Sequence, residues 1–245
     1  MILSIAILTS LFKPMPYTDR MTARYALYEI DKISRRFADG NDMPKGVKPH
    51  YNLSPAQLVP VIVNRDGVNQ IEIMKWGFIP AGAKDTTAVF RYKSYNARSE
   101  GIFDKPTWSK VIRSQRCLIP ANGFYEWKTV PTGKNPFYLH PTDASLFAFA
   151  GVYSSWTDPE GKIWGMCSIV TTNSAGESDM MPSRLPVIVY PDDEADWLDP
   201  SVNDINTLYR IMRPLEADML TIVRVGDDIN SAKVDKPQLI ERLER

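Results

Sequence analysis

Apolar and polar residues alternate over several short stretches of the chain, and this pattern is typical of half-buried β-strands. Two such stretches, residues 58–64 and 70–76, flank an Asp-Gly pair, Asp66-Gly67, and therefore predict a hairpin. A second hairpin is predicted where the turn sequence of residues 158–161 separates two apolar runs. The predicted strands beyond the first hairpin are residues 116–119, 137–139, 146–153, 164–171, 187–190 and 220–225.

Helical spacing of apolar residues is rarer and irregularly placed. Residues 24–37 carry it most clearly, with apolar side chains recurring every three or four positions. Shorter helices are predicted at residues 107–114, 192–197, 203–212 and 236–245. Strands dominate without a repeating βαβ unit, so the pattern predicts an α+β fold. With no internal repeat or linker, we predict one domain over residues 21–245.

Residues 1–20 precede this domain as an extension whose status the sequence leaves open. Its apolar run, residues 2–12, is shorter than the roughly 20 residues that a membrane-spanning helix needs. It lacks a basic segment and a cleavage site, so a signal peptide is disfavoured. The run either forms a buried element or precedes a translation start at Met21. We expect a cytoplasmic protein without a membrane segment.

Composition excludes several classes of protein. The 245 residues are 44% hydrophobic and 24% charged, which argues against disorder. Twenty-nine basic and 29 acidic residues cancel, so affinity for nucleic acid requires a local patch. Two cysteines and two histidines exclude a disulfide framework and argue against a multi-histidine metal site. We therefore predict neither a metal nor a cofactor.

Charge is unevenly distributed along the chain. Residues 86–128 carry eight basic and three acidic residues, a net charge of +5, whereas residues 191–206 carry six acids and no base. This asymmetry creates either a basic groove for a phosphate backbone or an ordinary solvated surface. Charge alone favours the solvated surface.

Two short segments contain candidate catalytic residues. In residues 116–128 a strand and a Pro-Ala-Asn-Gly turn lead to Glu126, which lies between two aromatic residues. A buried carboxylate in such a place has a raised pKa and suits general acid catalysis, whereas the alternative is a solvent-facing glutamate. In residues 96–98, Asn96 can orient a substrate oxygen and Arg98 can bind a phosphate, although the tripeptide alone is weak support. Arg184 either binds phosphate or anchors a loop.

The motifs taken in order are far more specific than any one of them. The chain contains MxxRYAL at 21–27, YNLSP at 51–55, WGFIP at 76–80, NARSE at 96–100, RCLIPANGFYEW at 116–127, FAGVY at 149–153 and SRLPVIV at 183–189. This series resembles the SRAP family, the SOS response-associated peptidase or abasic-site processing proteins, over residues 21–245. The resemblance implies an α+β fold with a bifurcated mixed sheet and a small barrel-like core surrounded by helices.

The resemblance also implies a groove for single-stranded DNA and a reaction with abasic sites. In the family, removal of the initiator methionine frees the α-amine and thiol of a cysteine, which form a Schiff base and then a thiazolidine with the deoxyribose aldehyde. Glu126 matches the glutamate that transfers protons, Asn96 the asparagine that positions the sugar, and Arg98 a phosphate-binding arginine. Arg24, Arg184 and Arg116 are further candidates for DNA binding.

Three departures from the family pattern put the chemistry in question. The cysteine position is Thr22, which has no free amine unless the chain starts at Met21 or is cut there. The family histidine position is Pro182, which has no side-chain proton donor. The aromatic residue that usually follows the WGxxP motif is replaced by Ala81-Gly82-Ala83, with a loss of roughly 1–3 kcal/mol of stacking per base.

Three functions remain open. The first is a monomeric protein that binds single-stranded or abasic-site DNA in a basic groove and whose crosslinking chemistry is weakened. The second is a module on the same scaffold that binds DNA or protein without catalysis. The third is a hydrolase or peptidase that uses Glu126, which ranks last because no Cys/His or Ser/His pair is visible. The threonine hydroxyl could close an oxazolidine, which we expect to be more reversible than a thiazolidine.

Overall fold

The computed structural model describes residues 23–38, 41–79, 85, 88–131, 133–174 and 182–244. The strands of this part are β1 (Tyr25–Leu27), β2 (His50–Leu53), β3 (Leu58–Arg65), β4 (Val68–Trp76), β5 (Asn96–Arg98), β6 (Arg116–Ala121), β7 (Gly123–Val130), β8 (Gly133–Pro141), β9 (Phe147–Thr157), β10 (Ile163–Asn173), β11 (Arg184–Pro186) and β12 (Leu220–Arg224). The helices are α1 (Ile30–Phe37), α2 (Ala88–Tyr92), α3 (Val111–Ser114), α4 (Glu194–Leu198) and α5 (Ile205–Ile211). The predicted α+β class is confirmed.

A small barrel forms the centre of the fold. Its strands are paired in the cyclic order β10, β4, β3, β6, β9 and back to β10. The β3–β4 hairpin is confirmed, and both central residues of its turn, Asp66 and Gly67, have positive φ, as a tight two-residue hairpin requires. The β9–β10 hairpin is confirmed as well. The barrel-like core expected from the resemblance is therefore present.

Strand β10 is the point at which the sheet divides. One edge of β10 pairs with β4 through Met166 and Cys167, then with β5 through Ile169 to Thr171. The other edge pairs with β9 and then, at its C-terminal end, with β11. The end of β10 thus leaves the barrel between two three-residue strands, which agrees with the bifurcated mixed sheet expected from the resemblance.

A second sheet, in the order β12-β8-β7-β1-β2, packs against the barrel. The two layers meet through aromatic rings: Tyr25 lies edge-on to Trp76 and Phe149, and Phe124 lies edge-on to Phe149. Edge-to-face packing of this kind adds specific geometry to the burial of apolar surface. These ring contacts therefore fix how the two layers pack against each other at Tyr25 and Phe124.

A single residue, Asn122, joins β6 of the barrel to β7 of the second sheet. Its side-chain oxygen accepts hydrogen bonds from the backbone N–H groups of Tyr28 (2.8 Å) and Glu29 (3.1 Å), and its amide donates to the Glu29 carboxylate (2.9 Å). A Cβ on the next residue, Gly123, would collide with the ring of Tyr138. These contacts explain the Asn-Gly pair of the turn.

Several predicted elements were wrong in extent or type. Residues 25–27 are strand rather than helix because they pair with both β2 and β7, and this tertiary pairing overrides local helical spacing. Within residues 236–244 a short 3₁₀ turn, Pro237–Ile240, stands where a helix was predicted. Residues 187–190 form a single bridge, from Ile188 to Phe149, with further backbone hydrogen bonds from Val187 to Val170 and from Val189 to Ala148. Among the described residues, no helix is long and apolar enough to cross a membrane.

Candidate functional site

Glu126 lies on β7 with 7% of its surface exposed. It shares a face of the strand with Phe124, which packs on the barrel, and it is paired across the ladder with Phe137 of β8. Tyr125 and Trp127 belong to the cluster on the opposite face. The carboxyl group therefore belongs to the layer between the second sheet and the barrel, and the alternative of a solvent-facing glutamate does not apply.

The backbone of Ala23 lies opposite Glu126 in the register of β1 and β7. Tyr25 is paired with Phe124, and the carbonyl of Arg24 accepts a hydrogen bond from the Tyr125 N–H (3.0 Å). Continuing this antiparallel register places Ala23 opposite Glu126. Thr22, the predicted position of the reactive residue, lies outside the described residues, as do the extension of residues 1–20 and Ala81-Gly82-Ala83.

Asn96 lies on the other layer, in β5, with 5% of its surface exposed. It is paired in parallel with Ile169 and so shares a face with Ile169 and Cys167 of β10. Trp76, which the ring of Tyr25 contacts edge-on, is paired with Cys167 in the ladder of β4 and β10. Asn96 and Glu126 thus lie on strands of the two layers that meet at Tyr25.

Tyr25 is a component of this layer that the sequence analysis missed. Its ring is fully buried, and its hydroxyl has no hydrogen-bond partner among the described residues. Burial raises the pKa of Tyr25 well above its usual value, so the phenol stays protonated. The polar Arg24 followed by the aromatic Tyr25 is compatible with a strand, but both residues were predicted to belong to a helix.

The four arginines predicted to bind DNA lie in four different environments. Arg98 is exposed on β5, two residues beyond Asn96 and on the same face. Arg24 is half-buried and donates to the side-chain oxygen of Asn52 (3.2 Å). Arg184 is held by Glu100 through two hydrogen bonds of 2.9 Å each.

The contacts of Arg184 favour the anchoring interpretation of this residue. Its guanidinium also donates to the side-chain oxygens of Asn173 (2.6 Å) and Thr171 (3.2 Å) at the end of β10. Burial alone would raise the pKa of Glu100, but the hydrogen bonds and charge of Arg184 outweigh it and leave that pKa lowered. Arg184 therefore ties β11 and Glu100 to the point where the sheet divides.

Arg116 is not available to DNA, and the prediction that it binds DNA was wrong. Only 3% of its surface is exposed. Its guanidinium donates to the backbone carbonyls of Ile112, Arg113, Trp197, Asp199 and Val202. Burial lowers the pKa of Arg116 to about 10, so the group remains charged at neutral pH. It fastens helices α3 and α4 to the barrel.

The remaining cysteines and histidines do not complete the site. Cys117 and Cys167 are fully buried, neither forms a disulfide, and burial raises the pKa of both thiols. Such thiols are poor nucleophiles. The His50 ring pairs with Asp235 (2.6 Å). His140 packs on Tyr138, on the face of the sheet opposite to Glu126. No cluster of metal-ligating side chains occurs among the described residues.

Helix α2 presents two exposed aromatic residues close in sequence to Asn96. Its buried residues, Ala88 and Val89, pack inward, while Phe90 and Tyr92 are 54% and 58% exposed. Arg91, also exposed, lies between them. This pair was not predicted, because an aromatic residue was expected directly after Pro80. The sequence FRYK at residues 90–93, shortly before NAR at 96–98, was nevertheless a visible signal.

Comparison with known proteins agrees with this architecture and with the order of the motifs. The family model described as "SOS response associated peptidase (SRAP)" matches residues 21–232. This chain belongs to the SRAP family. The abasic site processing protein YoqW of Bacillus subtilis is 37% identical over 224 residues, covering 90% of this chain and 99% of YoqW. The abasic site processing protein HMCES of Gallus gallus is 25% identical over 227 residues, covering 80% of this chain and 67% of HMCES.

Solved structures share the fold of this SRAP protein. A protein from Bacteroides thetaiotaomicron superposes with a TM-score of 0.78 at 23% identity, covering 90% of this chain and 99% of that one. A protein from Bordetella bronchiseptica gives a TM-score of 0.68 at 21% identity, covering 84% and 99%. At this identity the likeness concerns the fold alone.

Three of the residues that the resemblance assigns to the site of a SRAP protein lie on two strands of this chain. Glu126, Asn96 and Arg98 occupy strands β7 and β5 as their motifs require. Pro182 stands at the family histidine position, and both histidines of the chain lie elsewhere.

Proposed function

We propose that this protein binds single-stranded DNA that carries an abasic site, and that the α-amine of Thr22 attacks the ring-opened deoxyribose once that amine is exposed. The names of the relatives, abasic site processing proteins, support the substrate class. The observation that carries the proposal is the buried Glu126 opposite the backbone of Ala23, one residue from Thr22.

The chemistry of the proposed first step needs only an amine and an acid. The unprotonated amine of Thr22 adds to the C1′ aldehyde and gives a carbinolamine. Glu126 gives a proton to the carbinolamine oxygen, which leaves as water, and the protonated imine that remains can return its N–H proton to the Glu126 carboxylate. The Thr22 hydroxyl can then add to the imine carbon and close an oxazolidine without loss of atoms. Because an alcohol is a weaker soft nucleophile than a thiolate, we expect this ring to reopen.

DNA binding in this proposal uses the exposed groups around β5. Arg98 supplies a cation for phosphate, and Phe90 and Tyr92 supply faces on which unstacked bases can rest. These aromatic residues would replace the platform missing after Pro80. The monomeric state and cytoplasmic location stay predictions.

A borohydride trapping experiment tests the proposal. A chain that begins at Thr22 is incubated with labelled abasic single-stranded DNA and reduced, and the adduct is resolved under denaturing conditions. We expect a trapped adduct with this chain, none with the chain that begins at Met1, and a loss of about tenfold or more in rate for Glu126→Gln. Glu160→Gln, at an exposed turn, is the matched control. Absence of any adduct with the Thr22 chain would refute the reaction.

A second function, binding without catalysis, is favoured by one observation. Pro182 cannot transfer a proton, His50 pairs with Asp235, His140 packs on Tyr138, and both cysteines are buried. Binding that falls steeply with salt, without a trappable imine, identifies this function. The peptidase interpretation gains no support from the described part of the chain.

A further inference from the structure

A cavity of about 510 Å³ lies between the start of β9 and the segment that connects β11 to α4. Its apolar wall is formed by Leu146, Phe147, Ile188, Leu215 and Met219. None of the residues assigned above to DNA lines it. A volume of this size accommodates a small organic ligand, and a mostly apolar wall with few polar groups is typical of ligand sites.

The basic groups at this cavity already have partners. Arg36 of α1 lines it and forms two hydrogen bonds of 2.8 Å with the carboxylate of Glu194. Arg213 lies over the ring of Tyr190, 4.1 Å from its centroid, and pairs with Asp193 (2.7 Å). The positive charge next to the cavity is therefore matched within the protein.

The acidic groups at the rim are in excess. The lining residues include three carboxylates, Asp143, Asp218 and Glu194, against one guanidinium, that of Arg36. Hydrogen bonds from Ser145 lower the pKa of Asp143, so this carboxylate is anionic at neutral pH. The Thr142 hydroxyl donates to the Asp218 carbonyl (3.1 Å), which holds the backbone of Asp218 beside the segment that carries Asp143. A phosphate would be repelled here, whereas a cation would be attracted.

We propose that this cavity is a binding site for a small organic cation, an ammonium group attached to an apolar body about the size of one aromatic ring. The apolar body fits against Phe147, Ile188 and Leu215. The ammonium group lies at the rim beside Asp143 and Asp218, which are both exposed, so the attraction between opposite charges is strongest at low salt. This site is independent of the reaction proposed above.

The test uses the full chain and three probes of equal size that differ in charge: phenethylamine, phenethyl alcohol and phenylacetate. Binding is measured by calorimetry and by ligand-observed NMR at low salt. We expect phenethylamine to bind about tenfold more tightly than the alcohol, and phenylacetate to bind weakest. Equal affinity for the amine and phenylacetate, or no saturable binding of the amine, overturns the proposal.

Two variants locate the binding. Asp218→Asn removes one rim charge with little change in shape, and we expect it to weaken the amine about threefold to tenfold while the alcohol is unaffected. In Met219→Trp the larger indole ring fills the cavity. Met219 is partly exposed, so the ring can be accommodated, and we expect the substitution to abolish binding of all three probes. Asp42→Asn, at an exposed position away from the cavity, is the control. Unchanged amine binding in Asp218→Asn overturns the proposal even if Met219→Trp does not fold.

Discussion

Replacement of Asn122 by alanine tests how the two layers of the fold are held together. Asn122 is buried and is the single residue between β6 and β7. Its side chain holds the chain after β1 through the N–H groups of Tyr28 and Glu29 and through the Glu29 carboxylate. The substitution removes all three hydrogen bonds and leaves no group of the new side chain to replace them.

The expected loss follows from these contacts. Each hydrogen bond to a backbone N–H contributes about 1 kcal/mol net, and the bond to the carboxylate contributes about 1–2 kcal/mol. Tyr28 and Glu29 are half-buried, so water reaches part of the vacated space and limits the loss. We expect the free energy of unfolding to fall by roughly 2–4 kcal/mol and the Tm to fall by roughly 5–15 °C.

Urea unfolding followed by tryptophan fluorescence and circular dichroism measures this loss. Asn206→Ala, at an exposed position of α5, is the control and should change stability by less than about 0.5 kcal/mol. A loss below about 1 kcal/mol for Asn122→Ala, with an unchanged m-value, would show that the layers are held by apolar packing alone and would refute the reasoning.

Three further predictions concern stability, pH and binding. Gly151→Ala should destabilise the barrel by about 1–3 kcal/mol in urea unfolding, because the new Cβ would lie 2.7 Å from the Cys117 sulfur. Burial alone would raise the pKa of Asp193, but hydrogen bonds from Arg210 and Arg213 leave it lowered. Its carboxylate therefore contributes stability above its ordinary pKa that disappears as the pH falls through the lowered value. The stability difference from Asp193→Asn should accordingly shrink between pH 7 and pH 3. Arg98→Ala should weaken binding of single-stranded DNA and reduce its salt slope by about 1, in contrast to Arg116→Lys, which should lower stability but leave the slope unchanged.

The strands of the barrel could be predicted from the sequence because their apolar runs and turns are local signals. The Asp66-Gly67 turn and the alternation on either side of it identify a hairpin without any tertiary information. Strands β2 and β5 could not be found in this way, since three or four residues carry too little pattern. β2 pairs with β1, which is itself held by the longer β7, and β5 pairs with the long strand β10.

The candidate site was predictable in part for a related reason. Glu126 and Asn96 stand in motifs whose order is informative, and the structure gives both a buried position. Arg116 stands in the same motif as Glu126, yet it serves the fold, because the distant carbonyls of Trp197, Asp199 and Val202 surround it. Partners so far away in the chain cannot be read from a motif. The exposed pair Phe90 and Tyr92 was missed because the five residues of α2 do not reveal which side of the helix packs against the rest of the protein. In the structure Ala88 and Val89 are buried and the two aromatic side chains are exposed.

The one-residue join at Asn122 also bears on which nucleic acids could fit. Because Asn122 is the whole connection between β6 and β7 and is hydrogen-bonded to Tyr28 and Glu29, we expect little relative movement of the two layers here. Duplex DNA has a persistence length of about 150 base pairs and is therefore stiff over a short binding site, whereas a single strand deforms easily. In the proposed function, this limited movement favours a flexible single strand over a duplex before any base or sugar is recognised.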